Sequence, residues 1–263
     1  MVGETFICNI CSQSSIFPQV VDGRENATCM ACQSSVRMRG IVHHLTVGLF
    51  GRSMTLDEMP IAQFKGLGFS DWEGYAGPLG RKLNYVNSFY HCEPRFDITE
   101  PVDTRLSQYD FLISSDVFEH VRPPVQTAFD NSYAILKPGG LLILTVPSIE
   151  GVGTAEHYPE LGAYTMLEFD GEWVLLNKSK AGFFTLHRDL VFHGGPGTTL
   201  EMRIFGLSDL VRNLERAGFT DVTVHDEQVP EWGIFPPHRQ GLPITARRPA
   251  APSNPHQPYS SAV

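Results

Sequence analysis

The sequence predicts an α/β protein with a mainly parallel sheet, helices on both faces, and a small cysteine-bearing unit in front of it. From about residue 60, short apolar runs alternate with amphipathic stretches, which is typical of parallel strands joined by helices. Before residue 40, four cysteines occur as two pairs. The 263 residues, 42% of them hydrophobic and 19% charged, suffice for one full-sized domain with a small appendage.

The strands and helices of the larger domain can be assigned in chain order. Apolar runs predict strands at IAQFKGLG (61–68), LNYVNS (83–88), YDFLISS (109–115), LLILTVP (141–147) and TDVTVHDE (220–227). Helical spacing predicts helices at 125–136 and 206–219, the second with Ser208 as N-cap and Gly218 in its last turn. Between them, KPGG (137–140) stops the first helix at Lys137 and turns the chain into the next strand.

The paired cysteines predict a zinc ribbon over residues 1–40. Two CxxC pairs about twenty residues apart can aim four thiolates at one ion, and the chain carries no secretion signal that would favour disulfides. Four thiolates leave no open position, so the zinc would be structural; a redox CxxC and chance are the alternatives. The predicted ligands are Cys8, Cys11, Cys29 and Cys32, and the apolar Val20 and Val21 followed by the turn Asp22-Gly23 would form the hairpin between the pairs.

The remaining segments complete the predicted domain organisation. Helical spacing over 34–50 predicts a connecting helix, and residues 41–59 are assigned as a helical connector between the ribbon and the main domain. Arg37 and Arg39 either dock the ribbon on the main domain or form a solvated basic turn, and we favour the second interpretation. The main domain covers 60–248 with a lid insertion at about 148–205. The Pro- and Ser-rich tail at 249–263 is predicted to be disordered.

Charge and hydropathy exclude several classes of function. The net charge of −9 gives no electrostatic footprint for nucleic acid. No stretch approaches the ~20 apolar residues of a membrane span, and MVGETFICNICSQ is not a signal peptide. We therefore expect a cytoplasmic protein that is not bound to a membrane.

Two motifs carry a family resemblance. SSDVFEHV (114–121) follows one predicted strand and ILKPGGLLILTVP (135–147) contains the next, in this order. Together they resemble the class I S-adenosylmethionine-dependent methyltransferases, in the branch with an SSDVxEHV and LKPGG signature. The resemblance covers roughly residues 60–226 and implies a Rossmann-like sheet that binds S-adenosylmethionine beyond the carboxyl ends of its strands.

The resemblance also implies roles for individual residues of the cofactor site. Gly66 and Gly68 would lie against the methionine end of the cofactor, and Asp71 would hold its amino group. Asp97 would accept from the adenine amino group, and Ser115 and Asp116 would line the methyl-donor pocket. Where the family usually has an acidic residue for the ribose hydroxyls, this chain has the neutral Asn87, with Glu93 as another candidate.

Methyl transfer also needs an oriented acceptor and often a base for its proton. Imidazoles are suitable bases at neutral pH, and the candidates are His120 in the EH pair, His157 in the insertion and His193 in HGGPG. Each has a structural alternative, because a lone histidine is more often a packing residue. Tyr158, Tyr164 and Trp173 would line the lid or pack beneath it.

The string HGGPG (193–197) also occurs in some α/β-hydrolases, where it forms an oxyanion hole. Such an enzyme needs a G-x-S-x-G nucleophile elbow downstream, and this chain has none. HGGPG is better interpreted as a wall of an acceptor pocket, with His193 as its one proton acceptor.

The leading hypothesis is therefore a methyltransferase acting at oxygen on a small molecule or glycan. The first alternative is an RNA base methyltransferase that grips RNA with its ribbon, against which the net charge argues. The second is a non-catalytic protein of the same fold whose ribbon recruits a partner.

Overall fold

The computed structural model describes residues 5–17, 25, 28–235 and 241–251 of the chain. The predicted hairpin residues Val20, Val21, Asp22 and Gly23 lie outside the described residues, as do 252–263 of the predicted tail. In the first half of the chain the elements are β1 (Thr5–Ile7), β2 (Ser14–Ile16), α1 (Val36–Phe50), β3 (Lys65–Phe69), α2 (Glu73–Lys82), β4 (Asn84–Ser88), β5 (Tyr109–Ser115), α3 (Gln126–Ile135) and β6 (Leu136–Thr145). They are followed by β7 (Ser148–Ile149), β8 (Ala155–Glu156), β9 (Ala163–Phe169), β10 (Glu172–Lys178), β11 (Phe184–His187), β12 (Phe192–His193), β13 (Thr199–Leu200), β14 (Arg203–Gly206), α4 (Leu207–Ala217), β15 (Thr220–Val224) and β16 (Ile244–Arg247).

The central sheet has six strands in the order β15-β16-β6-β5-β3-β4. The strands β4, β3, β5 and β6 run parallel, whereas β16 pairs antiparallel with β6 and β15 antiparallel with β16. The predicted parallel arrangement is therefore confirmed for four strands, and the other two make the sheet mixed. β5 occupies the predicted range 109–115.

Helices cover both faces of this sheet, as predicted. Alternate residues of β5 point to opposite sides: Phe111 and Ile113 pack in one core with α1 and α2, and Leu112 packs in a second core with α3 and α4. All three side chains are fully buried. Such burial on both faces explains why β5 is an uninterrupted apolar run in the sequence.

The helix α1 belongs to this sandwich rather than only linking two units. Ser35 caps its N-terminus by accepting from the backbone of Met38, and Gly51 ends it with a φ of +72°. Ile41, Val42 and Leu45 are fully buried, and a side chain at Gly48 would collide with Leu141 of the sheet at 2.4 Å. The helix therefore lies directly on β6.

Three local predictions need correction: the N-cap of α4, the end of α3 and the role of KPGG. Ser208 is not the N-cap of α4, because β14 runs directly into the helix and Gly206 is the cap residue, its N–H donating to Thr154 Oγ1 at 3.1 Å. The preceding helix ends at Ile135 rather than at Lys137, and KPGG lies inside β6 as a register shift opposite β5, with Gly139 at a φ of +81°. Gly218 does end α4, at a φ of +103°.

The helix α2 was not predicted, because its sequence EGYAGPLGRK contains three glycines and a proline. Tyr75, Ala76 and Leu79 fall on one helical face and are buried against the sheet. Tertiary packing therefore outweighs poor intrinsic propensity in this segment.

The segment predicted as a lid insertion forms small sheets between β6 and α4, which are antiparallel except that β14 pairs parallel with β7. The largest is β11-β10-β9, and β12 pairs with β13. Tyr158, Leu161, Leu175, Leu200 and Met202 form a separate small core within it. Within the part of the chain that the structure describes, no helix combines the length and the apolarity needed to cross a membrane.

The cysteine-bearing unit is joined to the rest of the chain by the buried Arg39. Its guanidinium donates to the carbonyls of Trp232 and Gly233, both at 2.9 Å, and to the carbonyl of Ser34, and it lies over the ring of Phe6. Arg37 is also largely buried, reaching across to β5. The favoured interpretation of a solvated basic turn is therefore wrong, since both arginines are docking residues.

Candidate functional site

A cavity of about 580 Å³ opens at the carboxyl ends of β3, β4 and β5 and is closed on its other side by the insertion. This is the edge at which open α/β sheets bind ligands. One wall is formed by residues that follow the strands, and the opposite wall by residues of β9 and of the hairpin β12–β13. Its lining includes Phe69, Ser70, Ser88, Tyr90, Phe96, Asp97, Ile98, Thr99, Asp116, His120, Arg122, Tyr164, His193 and Leu200.

Four of the predicted site residues line this cavity: Asp97, Asp116, His120 and His193. They come from three separate loops, and only the fold brings them together. The other candidates, Gly66, Gly68, Asp71, Asn87, Ser115 and His157, are not among the described residues that line it.

Asp71 and Asn87 instead hold the turn between β3 and α2 in place. The side-chain amide of Asn87 accepts from the Asp71 N–H at 2.9 Å and donates to the Asp71 carbonyl at 2.8 Å. The carboxylate of Asp71 accepts from the hydroxyls of Tyr75 and Tyr85. Both the oxygen and the nitrogen of the Asn87 amide therefore hydrogen-bond to the backbone of Asp71.

The environment of Asp71 perturbs its titration. Burial raises the pKa of its carboxyl to about 7, although the hydroxyls of Tyr85 and Tyr75 and the charge of Arg37 act in the opposite direction. The side chain is thus a buried acid in a hydrogen-bonded cluster.

The two predicted cofactor glycines allow close packing inside the sheet. A Cβ at Gly66 would lie 2.0 Å from the ring of Phe111, and a Cβ at Gly68 would lie 1.9 Å from the hydroxyl of Tyr85. Side chains of the protein itself therefore occupy the space that these glycines leave open.

Asp97 forms a turn at the cavity wall by accepting from the N–H and the hydroxyl of Thr99 at 2.8 and 2.7 Å. Beside it, the rings of Phe69 and Phe96 stack with centroids 5.6 Å apart. Glu93, the alternative ribose candidate, accepts from the Arg95 N–H and is not among the described lining residues. This end of the cavity is therefore lined by two stacked aromatic rings and one carboxylate.

Arg37 reaches the end of β5 from α1, which sequence reasoning did not predict. Its guanidinium donates to Ser115 Oγ and lies 3.4 Å from Asp116 Oδ2. Asp116 itself has a φ of +56° and accepts from the Thr145 hydroxyl at 3.3 Å. Asp116, which lines the cavity, is therefore in contact with a cation that is not among the described lining residues.

Histidines and glutamates cluster where the insertion meets the EH pair. His193 Nε2 lies 2.7 Å from Glu201 Oε2, and His157 Nε2 lies 2.8 Å from Glu201 Oε1. His120 Nδ1 lies 2.9 Å from the Leu200 carbonyl, so this nitrogen carries the proton and Nε2 is an acceptor. Burial lowers the pKa of His120, and the nearby charge of His193 acts in the same direction.

Glu201 was missed because it follows a two-residue strand inside the insertion, where no periodic pattern marks it. The only available signal was its place just after HGGPG. His157 does not line the cavity itself but contacts the cluster through Glu201.

The HGGPG string forms the turn between β12 and β13 and carries His193 into the cavity. Gly194, Gly195 and Gly197 all have positive φ values, from +77° to +107°, which side chains disfavour. The Thr198 hydroxyl donates to the carbonyls of His193 and Gly195 at 2.6 Å each.

The three aromatic lid candidates have different surroundings. Tyr164 lines the cavity, with the guanidinium of Arg122 over its ring. Tyr158 is buried in the core of the insertion. The ring of Trp173 packs where a Cβ at Gly197 would be, 2.3 Å away.

The four predicted zinc ligands lie together. The Sγ atoms of Cys8 and Cys32, and those of Cys11 and Cys29, are 3.7 Å apart, and all four lie within 4.8 Å of one another. A tetrahedron with Zn–S bonds of about 2.3 Å has edges of about 3.8 Å. The donor set and its spacing therefore fit one zinc ion.

Comparison with known proteins identifies the family to which this chain belongs. A family model described as "Methyltransferase domain" matches residues 19–224. A sequence search of curated proteins gives no match.

Several solved structures show similarity to this chain. The Burkholderia thailandensis 1,6-didemethyltoxoflavin-N1-methyltransferase, bound to 1,6-didemethyltoxoflavin and S-adenosylhomocysteine, is 16% identical with a TM-score of 0.45, over 83% of this chain and 79% of that one. An S-adenosylmethionine-dependent methyltransferase from Clostridium acetobutylicum is 11% identical with a TM-score of 0.42, over 79% of this chain and 97% of that one. The CurJ carbon methyltransferase is 12% identical with a TM-score of 0.43, over 74% of this chain and 51% of that one.

Proposed function

This chain belongs to the methyltransferase-domain family and is an S-adenosylmethionine-dependent methyltransferase, and from that premise we propose that it methylates a hydroxyl group of a small molecule or sugar. The observation that carries the proposal is that His120 and His193 line the same cavity as Asp97 and Asp116. Groups suited to a cofactor and groups suited to a hydroxyl acceptor thus face one space.

The cofactor end of the cavity fits S-adenosylmethionine by its chemistry. The stacked Phe69 and Phe96 and the carboxylate of Asp97 suit a flat base with an exocyclic amino group. Asp116, which lines the cavity, offers a carboxylate to the amino group of a methionine moiety. When bound, the cofactor supplies an electrophilic methyl group on a sulfonium.

The acceptor end has groups that can orient a hydroxyl and take up its proton. His120 Nε2 is an acceptor because Nδ1 bonds to the Leu200 carbonyl. His193 is fixed by Glu201, and Tyr164 and Arg122 add an aromatic face and a cation to the same wall. A proton acceptor beside the attacking oxygen typically contributes 10²–10⁴-fold to the rate. A hydroxyl acceptor needs this help more than an amine does.

The RNA alternative requires cationic side chains on the ribbon that are open to phosphate. Arg37 and Arg39 are instead committed to internal contacts, and Arg24 lies outside the described residues. With a net charge of −9, the small-molecule acceptor is the better supported hypothesis.

Calorimetry with S-adenosylmethionine on the zinc-loaded protein tests the premise of cofactor binding. We expect saturable binding, and the absence of binding at millimolar cofactor would favour the non-catalytic alternative. A screen of hydroxylated metabolites and sugars with methyl-labelled cofactor then identifies the acceptor. Labelling of RNA, or RNA retention that decreases steeply with salt, would overturn the small-molecule proposal.

His193→Ala tests the acceptor end separately. We expect turnover to fall by roughly 10²–10⁴-fold with a cofactor Kd within threefold of wild type. His187→Ala is the matched control, because His187 lies in the same insertion and is not among the described residues that line the cavity. Loss of cofactor binding in His193→Ala would mean that the loop belongs to the cofactor site.

A further inference from the structure

Glu119, His120 and His193 offer three potential metal-ligating atoms within 4.8 Å of one another. The first two lie on the short 3-10 turn Phe118–His120 that follows β5, and the third lies on β12 of the insertion. The cluster therefore joins the sheet to the insertion at the acceptor end of the cavity.

The orientation of the two imidazoles is that of metal ligands. Glu119 Oε1 lies 3.7 Å from His120 Nε2 and 3.7 Å from His193 Nδ1. The other ring nitrogen of each histidine is held from behind, by the Leu200 carbonyl and by the Glu201 carboxylate. Histidines that bind metals typically hydrogen-bond through their second nitrogen in this way, which fixes the ring and raises its basicity.

Distance and burial also suit a cation. Ligand atoms about 2.0–2.1 Å from a tetrahedral ion are about 3.4 Å apart, so the observed 3.7 Å requires a shift of only a few tenths of an ångström. The Glu119 side chain is fully buried, whereas that of His193 is 37% exposed. His120 and His193 also line the cavity, so the open side of the cluster faces it.

We propose that Glu119, His120 and His193 bind one divalent transition-metal cation, whose open positions face the acceptor. Two imidazoles and one carboxylate suit Mn²⁺, Fe²⁺, Co²⁺ or Zn²⁺. The use of the site rests on the proposed function. An acceptor hydroxyl that coordinates the cation has a lower pKa, so its proton passes to solvent and the resulting oxyanion attacks the methyl group. With the cation bound, the imidazoles are ligands and do not take the proton themselves.

Equilibrium dialysis of the zinc-loaded protein against Mn²⁺ tests the site directly. Thiolates disfavour Mn²⁺, so the four cysteines do not compete for it. We expect about one Mn²⁺ per chain, and at least tenfold weaker retention in Glu119→Gln and His193→Ala. His187→Ala should match wild type. His193→Ala keeps the test valid if Glu119→Gln fails to fold, because His193 is partly exposed.

Dialysis against Zn²⁺ completes the test by counting zinc beyond the cysteine site. If wild type retains neither Mn²⁺ nor additional Zn²⁺, or if both variants retain them as wild type does, the proposal is wrong and the cluster works by hydrogen bonding alone. Neither measurement uses the cofactor or an acceptor. Failure of metal binding therefore leaves the methyl-transfer proposal intact, and failure of cofactor calorimetry leaves the metal result intact.

Discussion

The carboxylate of Glu201 lies 2.7 Å from the imidazole of His193 and is almost completely buried. His193 is carried by a glycine-rich hairpin, whose tight turn would not by itself fix the direction of the ring. Glu201 therefore sets the orientation of the imidazole that faces the cavity, and acts as a positioning residue.

Glu201→Gln should lower turnover by roughly 10–100-fold, because the neutral amide holds His193 less well and no longer favours one tautomer. The pH profile of turnover should also shift, which a purely structural role would not cause. Cofactor affinity and the unfolding midpoint serve as checks and should stay near wild type. Glu160→Gln, an exposed carboxylate of the same insertion, is the control. Equal turnover in the two variants would contradict the role of Glu201.

Arg39→Ala should lower the free energy of unfolding by about 3–5 kcal/mol, because it removes a buried cation from several backbone carbonyls. Urea denaturation of the zinc-loaded protein measures the change. Arg188→Ala, whose side chain is 66% exposed, should change stability by less than about 0.5 kcal/mol. A small effect for Arg39→Ala would mean that the contacts to Trp232 and Gly233 are dispensable.

Cys29→Ser should lose bound zinc and unfold at a lower temperature, because structural zinc contributes directly to folding free energy. Cys92→Ser is a matched control, since Cys92 is exposed and outside the cluster. Metal analysis and thermal unfolding of both variants and of wild type test this prediction. The zinc prediction is wrong if wild type holds well under one zinc per chain.

Asp71→Asn should flatten the pH dependence of stability between about pH 4 and 7. The folded carboxyl has a pKa of about 7, raised by burial, whereas an unfolded aspartate has a pKa of about 3.9. Between these values the folded state holds more protons, so the free energy of unfolding falls as pH rises, by at most about 1.4 kcal/mol per pH unit. Denaturation at several pH values should show this fall in wild type and in the exposed-site control Asp103→Asn. If Asp71→Asn follows the same curve as wild type, the buried acid is not the cause.

Local sequence signals predicted the parts of the fold that depend on local chemistry. A strand buried on both faces is a continuous apolar run, so β5 was predicted at its observed bounds. The helix α2 was missed because only its packing against the sheet stabilises it. The cap of α4 was assigned to the wrong residue because β14 runs directly into the helix at Gly206, where no side chain makes a capping hydrogen bond.

The residues of the candidate site also divide into those that a local sequence pattern predicted and those whose contacts are long-range. Asp97, Asp116, His120 and His193 became candidates because each lies in a recognisable string, and all four line the cavity. Asn87 and Asp71 follow strands as expected, yet they contact each other, which no local pattern reveals. The reach of Arg37 to Ser115 spans 78 residues and could not be predicted from its neighbours.

The contacts of Arg39 also bear on how the chain is made. Its carbonyl acceptors lie 193 and 194 residues downstream, and at about 5–20 residues per second a ribosome needs roughly 10–40 s to reach them. During that interval the guanidinium emerges without these two acceptors. The contacts of Arg39 to Trp232 and Gly233 can therefore form only after Gly233 has been translated.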